Sequence, residues 1–252
     1  MSHVLLAGES WIGATVDHKG YDAFPHTQLQ IGCRDFVAAI EYGGHTVHHL
    51  KSHDVAEHFP ASPYELNVYD VVVLSDIGAN SLLLHPNTFD NGRPFPNRLK
   101  LLRDWVTSGG GLMMAGGYLS FQGFQGKANY HHTAVEDVLP VKISPFDDRE
   151  ETPEGMHGQV TSTEHPITEG LDSTWPILLG YQRVEPRDDA EVLATIDGNV
   201  LLATRQVDSG RTLAFTSDIS PHWAPSEFTT WTGYKQIFSR TVDWLANRST
   251  DS

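Results

Sequence analysis

The sequence predicts an α/β domain built on a mostly parallel, doubly wound sheet. Short apolar segments that suit buried strands alternate with segments of helical periodicity, and short glycine-rich turns separate them. The 252 residues fit one large domain, and we expect residues 1–252 to form it without an interdomain linker. In the second half, strands that follow one another across tight turns predict additional β-hairpins.

The first half of the chain supplies the strands that we expect to be parallel. They are residues 3–7, 45–50, 69–75 and 111–115. The third of these strands is almost entirely β-branched and apolar, as expected of a central strand covered on both faces. A helix between the third and fourth strands requires a right-handed crossover, and therefore a parallel pair.

Helices are predicted where apolar side chains recur with helical spacing. The first helix carries its apolar stripe on Cys33, Phe36, Val37 and Ile40, and another runs through residues 99–106. Residues 12–30, rich in Gly, His, Asp and Pro, are expected to form a long loop over the mouth of a cleft.

The second half begins with a short helix, predicted over residues 133–138. Residues 146–155 are polar and turn-rich and are expected to form a loop. Residues 191–196 and 200–204 flank Asp197-Gly198, a pair that suits a type I′ hairpin turn. A further strand at 210–217 and a closing helix over 234–245 complete the domain.

Composition excludes several classes of function. The formal net charge of −15 argues against nucleic acid and against anionic membrane surfaces. No segment approaches the roughly 18 apolar residues of a membrane span. Cys33 is the only cysteine, which fits a reducing, cytoplasmic compartment. The fourteen histidines form no zinc motif, so we expect the histidine-rich stretch 45–58 to hold no metal, and no cofactor is predicted.

The stretch 109–126 is the most informative part of the chain. A buried strand, Leu112 to Ala115, ends abruptly at Gly116-Gly117, and glycines there allow a tight turn with positive φ. Tyr118 would then be presented at the carboxyl edge of the sheet, as in a nucleophile elbow, where a strained turn leads from strand to helix. The alternative is an ordinary glycine-rich βα turn closed by an aromatic side chain.

Ligands of open α/β sheets bind beyond the carboxyl ends of the strands, and four predicted turns converge there. We predict that Tyr118, His222 and Glu9 are catalytic and share one pocket with Asp76. Ligand contacts are expected from Ser10, Trp11, Asp76, Gly78, Gly117, Ser120, Phe121, Asp218 and Trp223. We expect the Tyr118 hydroxyl to bond to His222, directly or through one water. Each residue also has a structural alternative, such as capping, turn stabilisation or packing.

One acidic cluster lies outside these turns. Asp147-Asp148-Arg149-Glu150 could coordinate a hard cation, orient the arginine, or form a solvated loop with weak ion pairs.

The turn motif resembles that of the class I glutamine amidotransferases, which have a flavodoxin-like fold. In that family Gly-x-Cys-x-Gly forms the elbow and His-x-Glu follows a late strand. Gly116 to Ser120 matches the frame, with Tyr118 in the cysteine position and Ser120 in that of the last glycine, and His222 lacks the following Glu.

The whole chain is also similar to a cytoplasmic, largely uncharacterised branch of glutamine amidotransferase-like proteins. The resemblance rests on Gly8–Trp11, Tyr69-Asp70, Ser75–Asn80, Gly116–Phe121, Val138–Val141, Asp147–Arg149, His165–Ile167 and Phe215–Trp223. A weaker resemblance reaches the ThuA-like proteins through His165-Pro166 and the strand at 210–215.

The resemblance implies the fold more firmly than the activity. Amide hydrolysis by this fold needs a thiolate nucleophile, whereas a phenol with an ordinary pKa near 10 is a poor nucleophile at neutral pH. Cys33, on the stripe of the first helix, cannot replace it. We therefore expect no glutaminase activity and a pocket that binds, and could transform, a small polar metabolite, with carbohydrate favoured by the aromatic faces beside the carboxylates. The alternative is an inactive scaffold that acts through self-association.

Overall fold

The computed structural model describes residues 1–247. Its strands are β1 (His3–Gly8), β2 (Ser10–Lys19), β3 (Asp22–Ile31), β4 (Thr46–Leu50), β5 (Val71–Ser75), β6 (Gly111–Ala115), β7 (Val141–Lys142), β8 (Arg149–Val160), β9 (Thr174–Gln182), β10 (Glu185–Pro186), β11 (Glu191–Ile196), β12 (Asn199–Val207) and β13 (Gly210–Phe215). Its helices are α1 (Arg34–Tyr42), α2 (Ser52–His58), α3 (Pro63–Leu66), α4 (Ala79–Leu83), α5 (Pro86–Phe89), α6 (Arg98–Thr107), α7 (Ala134–Val138), α8 (Ser226–Thr229) and α9 (Thr232–Leu245).

Nine of the strands described within residues 1–247 form one sheet, in the order β4-β1-β5-β6-β13-β12-β11-β8-β9. The first five are parallel to one another and the remaining strands pair antiparallel. The predicted α/β fold is confirmed, including the parallel pairing of β5 with β6 and the later hairpins, of which β11–β12 turns at Asp197-Gly198.

Helices cover both faces of the sheet, as predicted. On one face α1 and α9 pack together, with Phe36 of α1 edge-on to Phe238 of α9 at a centroid distance of 5.0 Å. On the other face, α2, α4, α6 and α7 bury apolar side chains such as Val55, Leu82 and Leu102 against the sheet. No helix of residues 1–247 is long and apolar enough to cross a membrane.

Residues 12–30 are not a loop, so that prediction was wrong. They lie within the antiparallel hairpin β2–β3, which pairs in register from Ser10–Ile31 to Lys19–Asp22. The abundant Gly, His, Asp and Pro concealed a two-residue alternation, with Ile12, Ala14 and Val16 on one face. The hairpin also does not form a cover over the cleft at the sheet edge, because none of residues 12–30 lines the cavity there.

Two further assignments need correction. The segment 146–155 was predicted as a loop, but β8 begins at Arg149 and pairs with β9; its polar residues and the irregular register after Glu151 weakened the strand signal. Cys33 was placed within the first helix, but it precedes α1 as its N-terminal cap residue. Its side chain is nevertheless buried in the same core cluster as Phe36 and Ile40, as the apolar stripe predicts.

Candidate functional site

A cavity of about 320 Å³ lies at the carboxyl edge of the parallel strands. It is lined by Glu9, Trp11, Asp76, Tyr118, Asp218, Ser220, Pro221 and His222, which we call the candidate site. Glu9 follows β1, Asp76 follows β5, Tyr118 follows β6, and the last four residues follow β13. These four strands are neighbours in the sheet, so their exits meet at one edge.

Two of the acidic residues have positive φ. Glu9 has φ of 50° and Asp76 has φ of 45°, in the left-handed region that residues other than Gly, Asn and Asp rarely adopt, so the backbone is strained at Glu9. The Glu9 N–H donates to the Ser75 carbonyl at 2.9 Å. Gly8, with φ of 105°, allows this close approach, since a Cβ there would lie 1.9 Å from the Ser75 carbonyl oxygen. Strain of this kind persists where the surrounding structure enforces it, often at functional sites.

Glu9 is a buried carboxyl group, with only 1% of its surface exposed. The Ser75 hydroxyl donates to its Oε2 at 2.6 Å. Burial raises the pKa of Glu9 well above its ordinary value, and the nearby carboxylates of Asp218 and Asp76 raise it further, against hydrogen bonds that lower it. Glu9 is therefore more readily protonated than an exposed carboxyl group.

Gly32 packs directly against the Glu9 side chain, and the sequence analysis did not identify it. A Cβ at this position would lie 2.6 Å from Oε1 of Glu9 and 3.1 Å from the Ser220 hydroxyl. The Gly32 N–H donates to the Glu9 carbonyl at 3.1 Å. Only the position of the hairpin β2–β3 in three dimensions, which returns the chain to the end of β1, reveals this contact.

Asp76 links the turn after β5 to the turn after β6. Its carboxylate accepts the Leu119 N–H at 2.7 Å, and its own N–H donates to the Ser120 hydroxyl at 3.0 Å. Burial raises the pKa of Asp76, although the Leu119 bond opposes the shift. Gly117, with φ of 137°, lets the second turn approach the Asp76 side chain.

Asp218 and His222 form a polar pair on the turn after β13. The Asp218 Oδ2 and His222 Nδ1 atoms lie 3.5 Å apart; Asp218 is buried, and 40% of the His222 side chain is exposed. The interaction with Asp218 raises the pKa of His222, while burial lowers it. Asp218 also accepts the Ser220 N–H at 3.0 Å and its hydroxyl at 3.2 Å. The carboxylate thus fixes the turn that presents the imidazole.

Tyr118 contacts His222 through its ring, edge to face, with 4.2 Å between ring centroids. The direct hydrogen bond expected between their side chains is not formed. The Tyr118 hydroxyl interacts instead with Glu151 and Arg149: burial and the Glu151 carboxylate raise its pKa, and Arg149 lowers it. Trp223 donates its indole N–H to Glu151 at 2.9 Å, so this carboxylate serves both aromatic residues.

The turn at Tyr118 differs from the expected strand-to-helix elbow. Tyr118 has no positive φ, and the turn leads through bends to a 3₁₀ helix at Phe124–Gly126. Positive φ falls on Gly117, Phe121 and Gly123 instead. These residues direct the chain across the sheet edge before α7 begins at Ala134.

The acidic cluster after residue 146 orients an arginine, one of the three roles left open. The Arg149 guanidinium lies over the Tyr118 ring at 4.7 Å and pairs with Asp147 at 2.9 Å. Asp148 is buried and accepts the Gln122 and Gly123 N–H groups at 2.9 and 2.8 Å. The cluster therefore fixes the position of the turn that follows β6. Residues 1–247 contain no group of three or more His, Cys, Asp or Glu side chains placed to hold a metal ion.

The other predicted contact residues lie outside the cavity. Ser10 lines an adjacent hollow of about 330 Å³, and its hydroxyl accepts the Ser52 N–H. Gly78 precedes α4, where a Cβ would meet the backbone at Lys127 and Ala128, and Phe121 is fully buried in the core. Trp223 is buried behind Tyr118, with 6.1 Å between ring centroids.

A larger cavity of about 720 Å³ lies elsewhere, between the segment 131–145 and residues near β10, and contains none of the candidate residues. We place the candidate site at the sheet edge because the buried carboxyl groups and strained turns are found there.

Comparison with known proteins relates nearly the whole chain to one family. The model of a family described as "Putative glutamine amidotransferase" matches residues 3–247. Two solved structures from Salmonella typhimurium are similar: the cytoplasmic protein STM3548, with 40% identity, and STM1381, with 38%. Their TM-scores are 0.92 and 0.91, and the matches cover 97% and 96% of this chain and 99% of each relative.

A ThuA-like protein from Parabacteroides merdae shares the fold alone, with 13% identity and a TM-score of 0.57 over 100% of this chain and 92% of that one. The comparison with curated proteins found no match.

Proposed function

Since the chain belongs to this glutamine amidotransferase-like family but has Tyr118 in the position of the nucleophilic cysteine, we propose that it binds a small polar metabolite in the candidate site. We favour a hydroxyl-rich ligand such as a carbohydrate. The observation that carries the proposal is the convergence of Glu9, Asp76 and Asp218 on one cavity that also contains Trp11 and Tyr118.

The chemistry of the lining selects the class of ligand. Carboxylates accept hydrogen bonds from hydroxyl groups, and several of them in one cavity repel an anionic ligand. Aromatic faces beside them stack on the apolar face of a sugar ring. The Arg149 guanidinium lies against the Tyr118 ring and is paired with Asp147 and Glu151, so its charge is already compensated. A neutral polyol or sugar fits these features better than a phosphorylated ligand.

The site also contains groups suited to proton transfer. Burial and its carboxylate neighbours raise the pKa of Glu9 and so favour its protonated form, while Asp218 orients His222 and raises the pKa of its imidazole. A carboxylic acid and an imidazole whose environments shift their pKa values in this way can act as acid and base on one ligand. We propose these roles for Glu9 and His222, with Tyr118 forming part of the binding surface.

Glutamine hydrolysis is not part of the proposal. The Cys33 Sγ lies 3.5 Å from Nδ1 of His49. Burial nevertheless raises the pKa of Cys33 to about 11, so its thiol is neutral at physiological pH. The pKa of Tyr118 is raised as well, which makes its phenol a poorer nucleophile. We also infer a cytoplasmic location, in line with the description of the two Salmonella relatives.

A ligand screen by thermal denaturation tests the binding proposal. Purified protein is heated with panels of sugars, sugar acids, amino acids and nucleotides. At about 100 times Kd, a ligand specific for the native state is expected to raise Tm by roughly 5–10 °C. His222→Gln should reduce the shift, whereas His58→Gln, an exposed histidine at the end of α2, should not. A shift that persists unchanged in His222→Gln would place the ligand elsewhere, and no shift with any panel would refute the proposal.

Ammonia release from glutamine tests the excluded activity. We expect none above background from the purified protein. Activity that survives Tyr118→Phe but disappears in Cys33→Ser would show that Cys33 is the nucleophile after all.

A further inference from the structure

The hairpin β2–β3 extends away from the rest of the molecule, and we call residues 10–31 the arm. Its strands are ten residues each, so it projects about 33 Å at roughly 3.3 Å per residue. Between Trp11 and Gln30 every residue except Gly13 is exposed. The tip turns at Gly20, with φ of 66°, and Tyr21 beside it is 109% exposed.

The two faces of the arm differ in polarity. Residues that pair across an antiparallel ribbon share a face, so the register assigns every side chain. One face, the apolar face, carries Ile12, Ala14, Val16, His18, Ala23, Pro25, Thr27, Leu29 and, at its base, Ile31. The opposite face is mostly polar and carries Thr15, Asp17, Lys19, Asp22, His26, Gln28 and Gln30, with Phe24 among them and Trp11 at its base.

Such an arm is weakly stabilised by the rest of its own chain. A two-stranded hairpin is marginally stable in water on its own, and this one leaves Ile12 56%, Val16 53% and Leu29 41% exposed on the same face. An amphipathic ribbon with a solvent-exposed apolar face gains stability when that face is buried.

The charge distribution favours a second copy of the chain as that partner. The arm has two aspartates and one lysine, so nearly all of the net charge of −15 lies on the rest of the molecule. A basic partner would be attracted to the acidic body rather than to the arm. Two copies of an acidic chain repel each other least where both are nearly neutral, and an apolar face is its own complement across a two-fold axis.

The size of the arm determines how the two copies meet. One face of the ribbon, about 33 Å by 10 Å, provides roughly 330 Å², well below the roughly 800 Å² per partner of a standard interface. The interface therefore needs contacts beyond the ribbon face. Two arms of equal length that pack antiparallel supply them, because the tip of each arm lies at the root of the other. The root of the arm borders the hollow of about 330 Å³ lined in part by Trp11, Ile12, Ile77 and Leu119, which has room for an aromatic side chain. Tyr21 at the tip is the residue available to fill it.

We propose that the chain forms a two-fold dimer through the apolar faces of its arms, with Tyr21 of each arm at the arm root of its partner. Trp11 lines both this hollow and the candidate site. The dimer therefore brings a residue of the second copy to the edge of the site.

Analytical ultracentrifugation of the full chain, at roughly 10 µM and in dilution series from there, tests the proposal. Wild type is expected to sediment as a dimer. Val16→Asp and Leu29→Asp, on the apolar face, should weaken association by roughly tenfold or more. Thr15→Asp and Gln28→Asp add the same charge on the opposite face and should leave association unchanged. Tyr21→Ala should also weaken association.

Far-UV circular dichroism and Tm measurements separate these effects from misfolding, because an exposed arm tolerates substitution without loss of the sheet. A wild-type monomer would overturn the proposal, and the arm would then be free for another protein. An equal effect of the substitutions on both faces, or a dimer that withstands Val16→Asp and Leu29→Asp together, would also overturn it.

Discussion

Gly32→Ala offers a direct test of the packing around Glu9. The new methyl group would lie 2.6 Å from Oε1 of Glu9, against about 3.4 Å for an ordinary contact. Backbone strain is not involved, because Gly32 has no positive φ. The carboxylate is held by the Ser75 hydroxyl at 2.6 Å and is 1% exposed, so it cannot move away without breaking that bond.

We expect Gly32→Ala to lower the free energy of unfolding by about 1–3 kcal/mol, the usual cost of overpacking. Urea denaturation measures this loss. In the double variant Gly32→Ala/Glu9→Ala the closest clashing atom is absent and only the looser contact with Ser220 at 3.1 Å remains, so the two effects should be coupled by at least about 0.5 kcal/mol. Gly13→Ala is the matched control and should cost little, because its methyl group would meet the flexible end of Gln30 at 3.2 Å and the Gln28 carbonyl at an ordinary 3.8 Å.

Additive effects of Gly32→Ala and Glu9→Ala would refute the reasoning, because they would show that the Glu9 side chain is not what the methyl group displaces. A Gly32→Ala protein as stable as wild type would refute it too.

Three more predictions concern buried charge. Asp218→Asn should lower the pKa of His222, because the partner that raises it loses its charge; an NMR titration of the imidazole measures this, and an unchanged pKa would contradict the pairing. Arg98→Met should cost about 3–5 kcal/mol in urea denaturation, because the buried guanidinium donates five hydrogen bonds to carbonyl groups in or next to α2 and α4. The control Arg103→Met, which removes a partly exposed arginine paired with Asp104 at the surface, should cost less than about 1 kcal/mol. Glu9→Gln should flatten the decline of stability with rising pH. The pKa of Glu9 is higher in the folded state than in the unfolded state, so wild type loses stability as pH rises from the unfolded pKa to the folded pKa. The loss is about 1.4 kcal/mol for each unit by which the two pKa values differ. A decline in Glu9→Gln that is as steep as in wild type, or steeper, would show that folding does not raise the pKa of Glu9.

The parallel half of the fold could be predicted because its signals are local. The strand at 69–75 is β-branched and buried on both faces, and the helix before 111–115 requires a parallel pair. The arm could not be recognised in the same way. It has no buried face to impose a strong alternation, and its Pro25 and Gly13 imitate a loop. The alternation of Ile12, Ala14 and Val16 was the available signal.

The residues of the candidate site also differ in whether local sequence signals predict them. The rule that ligands bind beyond the strand ends brings Glu9, Asp76, Tyr118 and His222 to one edge, and the structure places all four around one cavity. The supporting residues Arg149 and Glu151 come from β8, which lies between β11 and β9 in the antiparallel half of the sheet. Their contact with Tyr118 depends on long-range packing that no local pattern encodes.

The carboxyl edge of the sheet contains features that stability alone does not require. Glu9 combines positive φ, which strains the backbone, with nearly complete burial and two carboxylate neighbours, which both disfavour the folded state when the group is ionised. A protein that acted only as an inert scaffold would be more stable with a neutral side chain there. If Glu9→Gln stabilises the chain and also weakens the ligand-induced rise in Tm, the cost is tied to binding, as expected where stability and function conflict. If it stabilises the chain and leaves the ligand response intact, Glu9 has no part in the site, and the case for acid–base chemistry there fails.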